Sequence, residues 1–254
     1  MRRLAPLLVL VTIWLGAPVP GAGAQAPTLQ ITLLGTGNPR PNMERFGPSI
    51  LVEAGSTRVL IDAGRGNAQR LFDIGNRASL VGIDALFLTH LHSDHVVGLP
   101  DLWLTSWVFG RATPLQVIGP PGTAEMSGHL EKAFEWDVQT RGKDEGFPAD
   151  GAKLAARNVQ PGVVFEKDGL TVTAFAVDHG GVISPAYGYR VDYRGRSAAF
   201  SGDTRYFEPI VEQAKGVDVL VHEVISPEVE ERRAQVVGPR ARERVISHHM
   251  APDQ

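Results

Sequence analysis

Residues His90-Leu91-His92-Ser93-Asp94-His95 place three imidazoles and one carboxylate within six positions. Neutral imidazole and carboxylate are ligands for zinc and related divalent ions. At an extended strand end His90 and His92 face the same side, because successive side chains alternate. A turn then carries Asp94 and His95 to a second point a few ångströms away. No single helix presents all four together, whereas a strand running into a loop and a helix does. The chain has no cysteine, so any zinc must be held by histidines and carboxylates, a donor set that suits hydrolytic sites better than thiolate-rich structural ones.

The elements that must position this cluster are legible in outline. Residues 29–34 read as a strand, 49–53 and 58–62 as a hairpin around Ala54-Gly55-Ser56, and 67–74 as a helix stopped by Gly75. The short apolar run 85–89 reads as a buried strand that delivers its end into His90. Residues 98–109 read as a helix rich in aromatics, in which Trp103, Trp107 and Phe109 either pack the core or line an apolar pocket. A strand at 115–118 ends in Gly119-Pro120-Pro121-Gly122, and 123–134 read as a helix. Residues 141–151 read as a surface loop. Strands follow at 170–177, 187–193, 197–201 and 217–221, with a helix at 208–214. Strands early, helices between and strands again late predict a mixed α/β domain with two sheets.

Composition sets limits on partners. The 254 residues are 43% hydrophobic and 21% charged, with a formal net charge of −3, as in an ordinary globular protein. No block of like charge is long enough to act as a nucleic-acid arm, which argues against nucleic acid as a partner. At the N-terminus Arg2 and Arg3 precede an apolar run at 4–15, and Ala24-Gln25-Ala26 has the small-x-small form of a cleavage site. Residues 1–26 are therefore expected to be a signal peptide rather than a retained anchor, 27–254 the mature domain, and the location periplasmic or secreted. After cleavage no membrane association is expected.

Thr89-His90-Leu91-His92-Ser93-Asp94-His95, with Gly98-Leu99-Pro100 after it, is similar to the H-x-H-x-D-H signature of metallo-β-lactamase-fold hydrolases, and more narrowly to the branch of ribonuclease Z and related esterases. Leu34-Gly35-Thr36-Gly37, Leu60-Ile61-Asp62-Ala63-Gly64, Gly119-Pro120-Pro121-Gly122, Asp178-His179 with Tyr187-Gly188-Tyr189-Arg190, Ser201-Gly202-Asp203-Thr204 and His222-Glu223-Val224 resemble that branch in the same order. The resemblance implies a four-layer αββα sandwich with two Zn²⁺ ions. His90, His92 and His179 would hold one. Asp94, His95 and a further histidine would hold the other, and Asp203 would bridge both. Asp62 would orient the histidine loop. Water between two such ions is acidified from about 15.7 towards 7, with Asp94 as its orienting group. The proton for the leaving group would come from a histidine near His222 or His248-His249, of which His249 is the one expected.

Two departures shape the expected substrate. The ribonuclease Z branch carries a protruding arm between the third metal histidine and the bridging aspartate, whereas His179 and Asp203 are separated by only enough chain for two strands and a turn. After Ser247-His248-His249 the resemblance implies a further helix, a strand and the last metal histidine. Gln254 ends the chain before them, so the second zinc is expected to be weakened unless His248 or His249 completes it, and a sheet edge to be exposed. The expected activity is hydrolysis of a small ester by metal-bound hydroxide, a phosphodiester or aryl sulfate first, with Arg40 and Arg45 available to an anionic substrate. A β-lactam or lactone hydrolase and an inactive metal-binding remnant are the alternatives. The expected partner is a small-molecule ester, with nucleic acid unlikely and a homodimer open.

Overall fold

Side-chain alternation along the strands decides the layers. In the strands at 57–61 and 85–87, Val59, Ile61, Ala85 and Phe87 turn to one apolar cluster, while Leu60 and Leu86 turn to another. A sheet whose two faces are both apolar must be covered on both sides. The computed structural model describes residues 28–252, and the expected leader at 1–26 lies outside them. The elements in chain order are β1 (Leu29–Gly35), β2 (Ser49–Ala54), β3 (Thr57–Ile61), α1 (Asn67–Val81), β4 (Ala85–Phe87), α2 (Ser93–Val96), α3 (Leu99–Val108), β5 (Leu115–Gly119), α4 (Thr123–Ala133), α5 (Glu135–Asp144), β6 (Leu154–Asn158), β7 (Gly162–Lys167), β8 (Leu170–Val177), β9 (Ala186–Tyr193), β10 (Arg196–Phe200), α6 (Pro209–Ala214), β11 (Val219–Val221), α7 (Pro227–Val237) and α8 (Pro239–Ile246). Among the described residues no helix is long and apolar enough to cross a membrane.

One sheet runs β1-β2-β3-β4-β5-β6 and the other β11-β10-β9-β8-β7. The first is antiparallel from β1 to β3 and parallel from β3 to β6. The second is antiparallel except for β10 with β11. Between the sheets lie Val52, Val59, Ile61, Phe87, Val172, Tyr189, Val191 and Phe200. Against the outer face of the first sheet pack Leu71, Leu80, Leu99, Leu102 and Trp103 from α1 and α3. Ile210 of α6 packs on Phe175 and Val177 of the second sheet. The result is the four-layer αββα sandwich.

Phe87 sits fully buried at the centre, 5.7 Å from the Phe165 ring and 5.3 Å from that of Tyr189. Phe87→Ala is expected to cost about 3–5 kcal/mol, because rigid β-sheet walls on both sides cannot collapse into the cavity. A denaturant titration with the slope unchanged would measure it, and a loss under about 1 kcal/mol would contradict this packing.

The structure departs from sequence expectation at several places. Gly75 and Asn76 have non-helical backbone, as expected of a stop, but the chain re-enters helix and α1 continues to Val81. The expected loop at 141–151 gives its first turn to α5. Strands β6 and β7 were not anticipated; both are mostly exposed or half-exposed, so they lack the apolar alternation by which a strand is read. Trp103 and Trp107 are fully buried, as side chains that pack the interior are. Between His179 and Asp203 stand β9 and β10, joined by the tight turn Arg194-Gly195, which are the two strands and a turn expected.

Candidate metal centre

The cluster forms where strands from both sheets end. Chain leaving β4, the centre of the first sheet, passes through Leu88 and Thr89 into His90. Thr89 is tied to the second sheet, since its carbonyl accepts from Tyr187 N at 2.8 Å and that of Leu88 accepts from the Tyr189 hydroxyl at 2.7 Å. Asp62, beyond the end of β3, adopts a positive φ of 61°, which Asp tolerates better than most residues. Its carboxylate accepts from Thr89 N and Thr89 Oγ1, both at 2.8 Å, and from His95 Nδ1 at 2.7 Å. One buried carboxylate thereby fixes the end of β4 and the imidazole of α2, the orienting part expected of it. Gly98, just past α2, could be no other residue: a Cβ there would stand 2.3 Å from the carbonyl oxygen of Gly64.

Hydrogen bonds at the far ring nitrogens fix which nitrogen of each histidine faces the cluster. Thr89 Oγ1, having donated to Asp62, accepts from His90 Nδ1 at 3.0 Å, and the His248 carbonyl accepts from His179 Nδ1 at 3.0 Å. Both Nε2 atoms are therefore bare lone pairs. They converge on His92 Nδ1 at 3.0 Å and 3.3 Å. Nitrogens bound tetrahedrally at 2.0–2.1 Å to one zinc lie about 3.3 Å apart, so this spacing fits a divalent ion. A proton does not fit. Burial pushes His90 down to about 2 and His179 to about 4, and His92 is lowered by the same cause; all three rings are neutral at pH 7.

Asp203 stands opposite. It follows β10 through Ser201 and Gly202, whose φ of 61° and close approach to the Tyr187 carbonyl (2.8 Å from a Cβ there) require glycine. Its Oδ2 lies 3.3 Å from His95 Nε2, 3.8 Å from His179 Nε2 and 4.0 Å from His249 Nδ1. His95 Nε2 is buried with no hydrogen bond to the protein, and a cation that displaced its proton would take up the lone pair left there. Burial draws His95 down, but Asp203 and Asp62 outweigh it and hold the ring well above its ordinary value. Burial would raise Asp203, and His95 beside it holds the carboxyl well below the usual range instead. Three overlapping sets can each hold an ion: His90-His92-His179, His90-His95-Asp203 and His179-Asp203-His249.

The structure thus brings together His90, His92, His95, His179, Asp203 and His249. Asp94 stands at the edge, its Oδ2 3.7 Å from His95 Nε2, lining a small pocket with Asn38, Arg65 and Ser93. His222 turns its Nδ1 to the Glu223 carbonyl, 2.7 Å away, and the His248 ring packs on Gly180; neither joins a set. Glu223 was quoted within a motif but given no role. Its Oε1 meets Thr204 N at 3.1 Å, Met250 N at 3.2 Å and His249 Nδ1 at 3.1 Å. Burial lowers His249, but Glu223 and then Asp203 raise it above its ordinary value.

The depressed histidines have a consequence for stability. A ring whose folded pKa lies below 6.5 takes up its proton only on unfolding, so the stability it contributes is present above pH 6.5 and lost on acidification. His90 alone removes about 2 kcal/mol between pH 6.5 and 5, at about 1.4 kcal/mol per unit, and His179 and His92 act with the same sign. His95 and His249, being raised, contribute stability present below pH 6.5 and lost only above it. The urea midpoint of the metal-free protein is therefore expected to fall from pH 6.5 to 5; a flat profile over that window would refute the buried neutral rings.

Comparison with known proteins adds the family. The model described as "Beta-lactamase superfamily domain" matches residues 57–254. A ribonuclease Z of Mycobacterium marinum (strain ATCC BAA-535 / M) is 42% identical over 204 residues, covering 79% of this chain and 72% of its own. A ribonuclease Z of Mycobacterium sp. (strain KMS) is 39% identical over 228 residues, 89% of this chain and 78% of its own. Among solved structures, human tRNase Z, short form, superposes with a TM-score of 0.64 at 20% identity over 88% of this chain and 93% of that one. The metallo-beta-lactamase fold protein YhfI from Bacillus subtilis gives 0.60 at 17% identity over 78% and 72%. The expectation of a small-molecule ester partner, with nucleic acid unlikely, is overturned by relatives that are named as ribonucleases. It rested on the lack of a long block of like charge and on the short chain between His179 and Asp203, and neither speaks to the local charge that meets a phosphate backbone. Arg40 and Arg45, in the early loop, are both exposed.

Proposed function

We propose, from the premise that this chain belongs to the beta-lactamase superfamily and is a metal-dependent hydrolase of its ribonuclease Z branch, that the bond it breaks is the phosphodiester of RNA. The likeness to relatives named ribonuclease Z over most of both chains carries the reading. Nothing in the site favours an aryl sulfate, a β-lactam or a lactone over it. Zinc is the expected ion, on the nitrogen-rich donor set, with His90, His92, His179 and Asp203 at one position and Asp94, His95 and Asp203 at the other.

A divalent ion held there acidifies water and polarises a phosphoryl oxygen. The protein's own groups do the rest. Asp62, Thr89 and the His248 carbonyl hold three imidazoles with their lone pairs inward. Asp94, at the rim, accepts a hydrogen bond from the attacking water and aims it. As oxygen adds to phosphorus and the opposite P–O bond breaks, the departing ribose oxygen needs a proton. His249, kept protonated by Glu223 on its Nδ1, gives that proton from Nε2. The products are a phosphate monoester and a free hydroxyl.

The test is direct. Purified full-length protein is incubated with end-labelled single-stranded RNA, before and after chelation and after zinc is restored. Cleavage lost on chelation and regained with zinc is expected, with the product ends defined by mass spectrometry. Metal-loaded protein that leaves RNA intact would refute the proposal.

A further inference from the structure

The five residues 203–207 form a bend that runs from the metal cluster to the surface. Asp203 enters the metal cluster. Thr204 is fully buried, its amide donating to Glu223. Arg205 is clamped on Asp178, the neighbour of His179, through Nε at 2.9 Å and Nη2 at 2.6 Å. Phe207 packs against the outer apolar cluster of the second sheet. Tyr206 is the aromatic ring of the bend that turns outward: it is 52% exposed, while its hydroxyl donates to the Glu208 carboxylate and so steadies the ring. Among the described residues no aromatic ring or cation covers it. A single exposed apolar residue needs no explanation. A steadied aromatic face on the same bend as a residue of the cluster is another matter, since three residues of chain span at most about 10 Å.

The geometry points to Tyr206 as a stacking platform for a nucleobase next to the bond being cleaved. The inference rests on the RNA reading above and adds a subsite to it. Any base has a π-face, so the platform grips the strand beside the cluster without choosing a sequence. It acts on binding and alignment of the flanking nucleotide and takes no part in the proton transfers.

The test pairs a protein change with a substrate change. Tyr206→Ala and Tyr206→Trp are compared with the unaltered protein on a short single-stranded RNA, and on the same RNA made abasic at the nucleotides flanking the cleaved bond. Tyr206→Ala is expected to raise KM for the intact RNA at least about fivefold, with kcat and metal content kept, and to leave the abasic RNA unaffected. Tyr206→Trp should restore the KM. Equal KM for the alanine variant and the unaltered protein on intact RNA would overturn the platform. So would an equal loss on both RNAs, or a fall in metal content, since either would make Tyr206 a brace for Asp203. If the unaltered protein cleaves no RNA, the phosphodiesterase reading falls and the platform with it; if it cleaves RNA and the alanine variant matches it, only the platform falls.

Discussion

Asp203→Asn is expected to lower kcat/KM for RNA at least about 10³-fold and to remove at least about one metal ion per chain. Asparagine keeps the volume, so the loss isolates the charge. Asp203 is the single carboxylate within 4.0 Å of three of the histidine rings, those of His95, His179 and His249. Without its negative charge, a cation in this partly buried site would lose the carboxylate that offsets its charge, a loss that neutral rings do not repay. The His95 ring would lose the first of the two partners that hold its pKa up. Elemental analysis after dialysis, beside the RNA assay, reads both effects. Unchanged metal content with retained activity would remove Asp203 from the centre altogether.

His249→Ala should behave differently: kcat falls about 10²- to 10⁴-fold while the metal content is kept. The contrast follows from what each residue touches. Asp203 faces the lone pairs of the cluster, whereas His249 is bound on Nδ1 by Glu223 and lies 4.0 Å from Asp203. A proton donor matters in proportion to how badly the leaving oxygen needs a proton. The defect should therefore be large on RNA, whose leaving group is an alkoxide, and small on bis(p-nitrophenyl) phosphate, whose phenolate leaves unaided. Because the donor must be protonated, kcat of the unaltered protein falls as pH rises through the His249 pKa. Glu223→Gln removes the first group that raises that pKa, so the falling limb should move to lower pH. Equal defects on both substrates, or loss of metal from His249→Ala, would make His249 a ligand instead of an acid.

Most of the first sheet was legible because its strands carry both signals that sequence offers. Leu29 and Ile31 alternate with the polar Gln30 and Thr32, and the run ending at Leu88 is apolar throughout, as a strand buried on both faces must be. β6 and β7 carry neither signal, being held by their pairing with β5 and β8 rather than by burial. The His90–His95 cluster was legible for the same kind of reason: ligands close in sequence announce themselves by spacing. His179 and Asp203 could be named only through a resemblance to a family, since their convergence is a property of two separate strand ends. Glu223 and the His248 carbonyl were invisible as participants. A backbone oxygen carries no signature, and a glutamate is common enough that only its three converging hydrogen bonds reveal it.

The division of the proposed ligands between the two sheets bears on how the protein assembles. The first sheet is built from residues 29–158 and the second from 162–221, so each is continuous in sequence and its contacts form over modest chain separations. His90, His92, Asp94 and His95 belong to the first half, and His179, Asp203 and His249 come after it. Two of the three sets that can hold an ion draw on both halves. Capture at those two positions must then follow docking of the halves, and whatever free energy the ion supplies there is added to that docking step by linkage. The ion would thus serve as a clasp, closing across the seam between two halves that formed separately, and a chain still waiting at that seam would be distinguished from a finished one by the metal it has yet to acquire.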